Sequence, residues 1–567
     1  MIYARLLIAT LLLCITATAQ NSKPDAISGR VITDSGQPLP GAGITFIRVG
    51  SSDPRNVETK HTTSDADGKF EVSGLKPANY MIVAFLKGYA PLLRITGASV
   101  NLHRIGDFVN VVMTKGGVIT GRVTTQTGEP VVGVRVSAQI INFAANFTMD
   151  LFNLTALTDD RGIYRIYGLP EASYVVWAGG SSLFRGSGGY ADLDPYDKDV
   201  RTFAPSSTRD TAQEIVVHGG VETTNVDIQY RGGAGHTISG KASGPKGGPP
   251  RGFVITLTTS QSTVTSYQRS DEQGFMFEGV DDGVYNVSAL SFTEAGEFMF
   301  APAKKIRVSG GDVTGVELMV APTSSVAGRV VLEETKATEC SDKQRPVFTE
   351  TLVSAQGEKG GDPQPRIGMM WPMINPDEQG NVVLKNLVAG RYYFTTQQFA
   401  KDWYLKSISL PSQPAGKPVD AAGTWTTLKP GDRLNGLTIT LAQGAASLRG
   451  EIAGSEGETP AGKSYGYLVP AEKEPDPLRF YGAAVTSDGK VALNNLAPGR
   501  YFVFATKDDS ESPLTKLISP DETAYRAKLR RDAETVKQEI ELKPCQKVID
   551  LKVRMPNQKR NPTPALN

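Results

Sequence analysis

Short runs of β-branched and aromatic residues, separated by glycine and proline, fill most of the chain. Segments such as YVVWA (174–178) and YFVFA (501–505) suit the half-buried surface of a sheet. One segment, 519–542, begins with an acidic pair and carries mixed charges, which predicts about four turns of solvated helix. The 59 glycines and 35 prolines supply many turns, so the pattern predicts an all-β chain with one short helix.

The strand pattern occurs five times along the chain. Each unit opens with a strand that has a glycine at its centre, and these strands are ISGRV (27–31), ITGRV (119–123), ISGKA (238–242), VAGRV (326–330) and LRGEI (448–452). A repeat of this kind predicts an array of similar units. At 567 residues the chain is also too long for one ordinary core.

A hairpin signal follows inside each unit. The segments are SDADGKF (64–70), TDDRGIY (158–164), SDEQGFM (270–276), PDEQGNV (376–382) and TSDGKV (486–491). Their constant glycines are Gly68, Gly162, Gly274, Gly380 and Gly489. An Asp or Ser opens such a turn through its own backbone, and glycine accepts the positive φ that closes it, so these residues have structural roles.

A second signature with an invariant tyrosine comes a few residues later. The segments are GLKPANY (74–80), GLPEASY (168–174), GVDDGVY (279–285), NLVAGRY (386–392) and NLAPGRY (495–501). They end at Tyr80, Tyr174, Tyr285, Tyr392 and Tyr501. A tyrosine just past a corner can bury its ring and return its hydroxyl to upstream backbone, so we predict a structural role for all five.

The order of these motifs resembles the carboxypeptidase regulatory-like domain, a transthyretin-like β-sandwich. Units 1 and 2 match most closely, with Pro/Gly loops GQPLPGAGITF (36–46) and GEPVVGVRVSA (128–138) after the first strand. The resemblance implies a noncatalytic module, often arranged in tandem on exported bacterial proteins and grouped with carbohydrate-binding sandwiches. The predicted fold is therefore all-β, with five tandem antiparallel β-sandwich domains of transthyretin-like or immunoglobulin-like type after a signal peptide.

The repeat also predicts domain boundaries. These are 1–19 for the signal peptide, 25–115, 117–232 with loop insertions, 236–321, 325–442, 446–555 with a short helix, and 556–567 for a flexible tail.

The N-terminus has the features of an export signal. A basic Arg5, an apolar run over 6–15 and the sequence Ala17-Thr18-Ala19 predict cleavage before Gln20. No later stretch reaches the roughly 18 to 20 apolar residues of a spanning helix. We therefore expect a mature chain without a membrane span, located in the periplasm, on the outer cell surface or in the medium.

Two cysteines, Cys340 and Cys545, follow the signal. In an oxidising compartment they can form one disulfide, and the alternative is two unpaired buried thiols. The net charge of +1 gives no electrostatic footprint for nucleic acid. We expect a monomer whose partner is a glycan or an envelope protein.

The sequence gives no reason to predict catalysis or a cofactor. None of the four histidines has a metal-ligand spacing, and there is no G-x-S-x-G elbow. GETPAGKS (457–464) matches a phosphate-loop pattern, but the segment after it predicts a strand where a phosphate loop requires a helix. We therefore predict no catalytic residue and no cofactor.

Two weak candidates remain for binding. Asp192, Asp194, Asp197 and Asp199 form a loop that can hold calcium, although a solvated acidic loop is the simpler interpretation. Trp371, in the methionine-rich segment GMMWPM, can stack on a sugar or simply pack. The main hypothesis is a noncatalytic exported scaffold for binding or spacing; the alternatives are a carbohydrate-binding protein that uses loop aromatics and an accessory part of a secreted hydrolase system.

Overall fold

The computed structural model describes residues 25–50, 58–91, 101–141, 154–180, 195–196, 198–245, 252–259, 263–269, 274–293, 297–340, 345–358, 373–412, 416–452, 464–507 and 517–556. Within these residues the chain forms 41 strands and one α-helix. The strands form ten sheets, which pair into five successive sandwiches. The predicted all-β fold with tandem sandwiches is confirmed; the export signal and the C-terminal tail lie outside the described residues.

Sandwich 1 consists of two four-stranded sheets. Its strands are β1 (Ile27–Thr33), β2 (Gly43–Val49), β3 (Thr59–Thr63), β4 (Lys69–Val72), β5 (Asn79–Phe85), β6 (Tyr89–Pro91), β7 (Leu102–His103) and β8 (Phe108–Lys115). One sheet has the order β4-β1-β8-β6 and the other β3-β2-β5-β7. Alternate residues of β1 and β2 point inward, so Ile27, Val31, Ile44 and Phe46 meet between the sheets.

Sandwich 2 repeats this arrangement with additional short strands. Its strands are β9 (Gly117–Thr124), β10 (Arg135–Ile140), β11 (Thr155–Leu157), β12 (Ile163–Leu169), β13 (Ala172–Ala178), β14 (Thr202–Phe203), β15 (Ile215–Val217), β16 (Glu222–Thr223) and β17 (Ile228–Gln229). One sheet has the order β12-β9-β16, and β17 also pairs with β9. The other sheet has the order β11-β10-β13-β14, and β15 also pairs with β13.

Sandwich 3 has a three-stranded and a five-stranded sheet. Its strands are β18 (His236–Ser243), β19 (Gly252–Thr258), β20 (Thr263–Arg269), β21 (Phe275–Val280), β22 (Gly283–Phe292), β23 (Phe298–Val308), β24 (Val313–Met319) and β25 (Ala321–Pro322). The orders are β21-β18-β24 and β20-β19-β22-β23-β25.

Sandwich 4 has a five-stranded and a four-stranded sheet. Its strands are β26 (Ser324–Glu333), β27 (Leu352–Gly357), β28 (Met373–Ile374), β29 (Asn381–Leu387), β30 (Gly390–Gln397), β31 (Trp403–Leu410), β32 (Val419–Asp420), β33 (Thr426–Leu428) and β34 (Arg433–Gln443). The orders are β29-β26-β34-β31-β32 and β28-β27-β30-β33.

Sandwich 5 contains the helix. Its elements are β35 (Ala446–Ile452), β36 (Ser464–Pro470), β37 (Tyr481–Ala484), β38 (Lys490–Leu496), β39 (Gly499–Lys507), α1 (Thr523–Val536), β40 (Glu539–Leu542) and β41 (Lys547–Val553). The sheets are β38-β35-β41 and β37-β36-β39-β40. The helix is less solvated than predicted, because Leu529 and Ala533 are buried in one cluster with Tyr467 and Phe504 of the second sheet.

The sandwiches are not wholly antiparallel, because the first strand of each pairs in parallel with its closing strand. The parallel pairs are β1–β8, β9–β16, β9–β17, β18–β24, β26–β34 and β35–β41. The glycine that recurs in the first strand of each sandwich lies against the backbone at this parallel pairing. A Cβ on Gly240 would lie 1.9 Å from the carbonyl oxygen of Val316, so no other residue fits without moving the backbone.

Candidate binding cleft between the first and fourth sandwiches

The five predicted corner tyrosines make the same hydrogen bond. Each hydroxyl donates to the carbonyl oxygen four residues earlier: Tyr80 to Lys76 at 2.8 Å, Tyr174 to Pro170 at 2.8 Å, Tyr285 to Asp281 at 2.9 Å, Tyr392 to Val388 at 2.7 Å and Tyr501 to Ala497 at 2.7 Å. Burial raises the pKa of Tyr285 to about 12, so its hydroxyl stays protonated and donates at physiological pH. The tyrosine therefore ties the corner to the strand that follows it.

The residue that starts each corner has a left-handed backbone. Its φ is 70° at Gly74, 76° at Gly168, 67° at Gly279, 61° at Asn386 and 57° at Asn495. Glycine adopts this conformation without a steric penalty, and asparagine tolerates it better than most residues. The exchange of glycine for asparagine in the last two units therefore preserves the same backbone.

Four of the five predicted hairpin glycines close turns with a positive φ. Gly68, Gly162, Gly380 and Gly489 have φ between 73° and 84°. Gly274 lies so close to the first strand that a Cβ would be 2.5 Å from the carbonyl oxygen of Gly240.

In sandwiches 1, 2 and 4 an aspartate at the start of the hairpin accepts hydrogen bonds from backbone amides. Asp65 Oδ1 accepts hydrogen bonds from the backbone amides of Asp67 at 2.9 Å and Lys69 at 2.8 Å. Asp159 and Asp377 make the same pair of contacts in their own hairpins. These carboxylates organise turns.

In sandwiches 2 to 5 the corner lies against the preceding sandwich. A Cβ on Gly168 would be 3.7 Å from the carbonyl oxygen of Tyr89. Val388 packs in one cluster with Phe298 and Phe300 of sandwich 3. Asn495 Nδ2 donates to the carbonyl oxygen of Ala400 at 2.7 Å. The corner is thus both a local turn and a joint between sandwiches.

Half-buried charges lie at the joint between sandwiches 2 and 3. Burial raises the pKa of Asp281, in the corner of sandwich 3, to about 6, while the charge of Arg201 from sandwich 2 acts in the opposite direction. Burial also lowers the pKa of Arg201. Its guanidinium lies 5.3 Å from the centre of the Trp177 ring.

Sandwich 1 is the first sandwich that the structure describes, and its corner contacts sandwich 4. Asn79 Nδ2 donates to the carbonyl oxygen of Glu350 at 2.9 Å, across 271 residues of sequence. The backbone amide of Asn375 donates to the carbonyl oxygen of Gly50 at 3.1 Å. Arg104 Nη1 lies 3.4 Å from Glu350 Oε2. The chain therefore folds back on itself, with its first and fourth sandwiches in contact.

A cleft of about 330 Å³ lies at this contact. Its charged and aromatic lining residues are Arg104, Arg345, Glu350, Phe399, Lys401 and Asp402. The loop between β7 and β8 supplies the first, the segment before β27 the next two, and the loop between β30 and β31 the last three.

The charges of the cleft differ in how fully they are paired. The side chains of Arg104 and Glu350 are only 29% and 16% exposed, and burial raises the pKa of Glu350 while Arg104 opposes the rise. The guanidinium of Arg104 also lies 5.0 Å from the centre of the Phe399 ring. Arg345 forms an exposed ion pair with Glu334 at 3.3 Å. Lys401 is exposed and has no ion pair within the described part of the chain.

Sandwich 5 supports the loop that forms one wall of the cleft. The carbonyl oxygen of Asp402 accepts hydrogen bonds from the backbone amides of Gly444 at 2.8 Å and Ala445 at 2.9 Å. Gly444 in turn accepts a hydrogen bond at 3.0 Å from the backbone amide of Cys545. Cys545 forms a disulfide with Cys340, with Cα atoms 5.7 Å apart. Of the two alternatives left open by the sequence, the structure has the bridge.

Of the other predicted site residues, those that the structure describes do not line this cleft. Asp192, Asp194, Asp197 and Trp371 lie outside the described residues. Asp199 Oδ2 accepts a hydrogen bond from the Tyr230 hydroxyl at 2.6 Å. Among the described residues no group of three or more His, Cys, Asp or Glu side chains could hold a metal ion. The calcium loop and the sugar-stacking tryptophan remain predictions.

The other tryptophans differ in exposure. Trp403 is fully buried and Trp177 is 3% exposed. Trp425 is partly exposed, with the Arg391 guanidinium 5.1 Å from its ring centre. In the regions described by the structure, no helix combines the length and apolarity that a membrane crossing requires.

Comparison with known proteins identifies the class of the first sandwich. Residues 26–108 match the family model of the carboxypeptidase regulatory-like domain. The resemblance predicted from the motifs is confirmed over these residues, which form sandwich 1. A search of curated proteins found no significant match to the chain.

Solved structures with some similarity include two pilins and one further Bacillus protein. The minor pilin of Streptococcus agalactiae is 11% identical, with a TM-score of 0.19 and coverage of 37% of this chain and 96% of that one. The Bacillus anthracis TIE protein is 12% identical, with a TM-score of 0.15 and coverage of 78% and 75%. The major pilin subunit of Bacillus cereus is 10% identical, with a TM-score of 0.13 and coverage of 58% and 100%.

Proposed function

We propose that this chain is a noncatalytic exported scaffold that binds a ligand in the cleft between sandwiches 1 and 4. The observation that carries the proposal is the closure of the chain. One cleft is lined by three parts of the chain that are far apart in sequence: Arg104, residues within 345–351, and residues 399–402. Concave sites at domain interfaces are common positions for ligand binding.

The covalent link between sandwiches 4 and 5 supports export. Cys340 and Cys545 are bridged across 205 residues. Stable disulfides are typical of proteins in oxidising compartments such as the periplasm and the medium. The bridge therefore agrees with cleavage of a signal peptide before Gln20, which we propose on the sequence alone.

The use of the repeated polar residues supports a noncatalytic role. The corner tyrosines and hairpin carboxylates bind backbone groups within their own turns. The match of residues 26–108 to a regulatory-like module points in the same direction. These residues serve the architecture of the sandwiches.

Two measurements on the full chain test the proposal. A panel of glycans, peptides and envelope proteins should contain a ligand that slows hydrogen exchange at 345–351 and 399–402, and Phe399→Ala should weaken its binding. Trp425→Ala, which changes a partly exposed aromatic away from the cleft lining, is the matched control. A panel of hydrolase substrates should give no turnover. Turnover that survives repurification, or a ligand that protects only other segments, would contradict the proposal.

A further inference from the structure

We propose that the cleft between sandwiches 1 and 4 recognises a small organic anion, with a carboxylate or phosphate group held by Lys401 and Arg104 beside the face of Phe399. This inference rests on the proposed binding function and names the chemical class of the ligand. Three cationic and two acidic side chains line the cleft, so its formal charge is +1.

Lys401 is the cation most available to a ligand. It lies on the loop between β30 and β31 and is exposed, without an ion pair in the described regions. Asp402, which follows it, has a positive φ of 67°, and its carbonyl oxygen accepts the amides of Gly444 and Ala445. The backbone at Lys401 is therefore held in place by the linker that leads into sandwich 5, although the side chain remains at the surface.

Arg104 is positioned from two directions. Its Nη1 contacts Glu350 at 3.4 Å, and its guanidinium lies over Phe399. A guanidinium has five N–H donors, and this single contact with Glu350 leaves donors for a second anion. Stacking on an aromatic ring limits the orientations of the planar group and lowers the entropy lost when a ligand binds.

Arg345 can add a third contact. Its ion pair with Glu334 has side chains that are 67% and 60% exposed, and such a surface pair contributes little stability. Arg345 can therefore exchange Glu334 for a ligand at little cost. The carboxylate of Glu350 lies in the same cleft and can also accept a hydrogen bond from a hydroxyl or amino group of the ligand.

The size of the cleft limits the ligand. A volume of about 330 Å³ is at the lower end of small-molecule sites, which span roughly 300–1,000 Å³. The space accepts a molecule of monosaccharide size. The exposed part of the Phe399 face and the alkyl stem of Lys401 offer apolar surface to a ring or carbon skeleton that carries the anion.

Calorimetric titration of the full chain with four probes tests this inference. The probes are glucuronate, glucose 6-phosphate, neutral glucose and inorganic phosphate. We expect at least one of the two sugar anions to bind more tightly than both glucose and inorganic phosphate. The comparison between the two sugar anions distinguishes a carboxylate from a phosphate ligand. Binding should weaken as salt is raised, because part of the attraction is between exposed charges.

Two lysine variants give a matched comparison. Lys401→Gln should weaken binding of the preferred anion about tenfold, as expected for the loss of one charge-assisted hydrogen bond. Lys385→Gln, at an exposed lysine of the same sandwich outside the cleft lining, should leave it unchanged. Hydrogen exchange at 399–402 should slow when the anion is present. Equal effects of the two variants would overturn the inference.

Other outcomes distinguish this inference from the proposed function. Equal binding of glucose and its anionic derivatives would overturn anion recognition, and binding of inorganic phosphate as tight as that of glucose 6-phosphate would overturn the role of Phe399. If none of the four probes binds, anion recognition is wrong, whereas protection of the cleft by another ligand would uphold the proposed function. Release of phosphate from glucose 6-phosphate by the purified chain would contradict the noncatalytic function itself.

Discussion

Replacing both Cys340 and Cys545 with serine should lower the stability of sandwiches 4 and 5. The bridge joins residues 205 positions apart, so without it the unfolded chain gains many conformations. In the chain-entropy model a cross-link over a loop of this length contributes about 5 kcal/mol. Native contacts between the two sandwiches, such as the hydrogen bond from Asn495 to Ala400, persist without the bridge. The value of about 5 kcal/mol is therefore an upper limit for the loss of stability.

The expected change is large enough for calorimetry. For two sandwiches of about 230 residues together, a loss of about 5 kcal/mol lowers the melting temperature on the order of 10 °C. The wild-type chain with a reducing agent should melt like the double-serine variant, because both lack the cross-link. The reducing agent should have no effect on the variant. Transitions that belong to sandwiches 2 and 3 should stay at the same temperature in all samples.

The refuting result is a double-serine variant that melts together with the oxidised wild type. It would mean that the unfolded state of sandwiches 4 and 5 is already as restricted as the cross-linked chain. A second measurement checks the connectivity directly. After a single proteolytic cut between 345 and 540, the two fragments should migrate together on a non-reducing gel and separate after reduction.

Three further predictions concern the corners and the joints. Burial raises the pKa of Asp281 from 3.8 to about 6, so the folded chain binds this proton more tightly than the unfolded chain. The stability that this shift contributes is complete below pH 3.8 and is lost as the pH rises through about 6. The free energy of unfolding, measured from pH 4 to 7, should therefore fall by up to about 3 kcal/mol. Asp281→Asn should remove this pH dependence. Tyr174→Phe should lower the free energy of unfolding by about 1 kcal/mol in a denaturant titration, whereas Tyr167→Phe, at an exposed tyrosine of the same sandwich, should be neutral. Arg104→Glu should weaken the contact between sandwiches 1 and 4 and increase the radius of gyration in solution scattering, and a second change, Glu350→Arg, should restore the original radius. An unchanged radius in the single variant would refute the role of this ion pair in the closure.

The sequence predicted the features that depend on residues close together in the chain. The hydroxyl of Tyr174 reaches a carbonyl only four residues away, and Gly162 closes a turn within its own hairpin. Both motifs occur in every unit, so the repeat itself supplied several independent examples. The exchange of Gly279 for Asn386 could also have indicated the left-handed backbone, because these residues share that conformation most readily.

The closure and the cleft could not be predicted in the same way. Asn79 and Glu350 are 271 residues apart, and neither belongs to a motif that specifies a partner. The parallel pairing of the first strand was missed as well. The sequence feature that indicates this pairing is the glycine that recurs in the first strand. In the structure this glycine allows the closing strand to approach closely.

The variable positions of the corner determine how the sandwiches are joined. The backbone and the tyrosine of the corner are the same in every unit, but the residue that reaches the neighbour changes. It is the acid Asp281 in sandwich 3, the apolar Val388 in sandwich 4 and the amide Asn495 in sandwich 5. Asn79 provides an amide again in sandwich 1, which has sandwich 4 as its neighbour. Because the tyrosine and the left-handed residue close the turn, the other contacts of the corner can differ from one neighbour to the next. The cleft lies where a corner joins two sandwiches that are not consecutive, sandwiches 1 and 4.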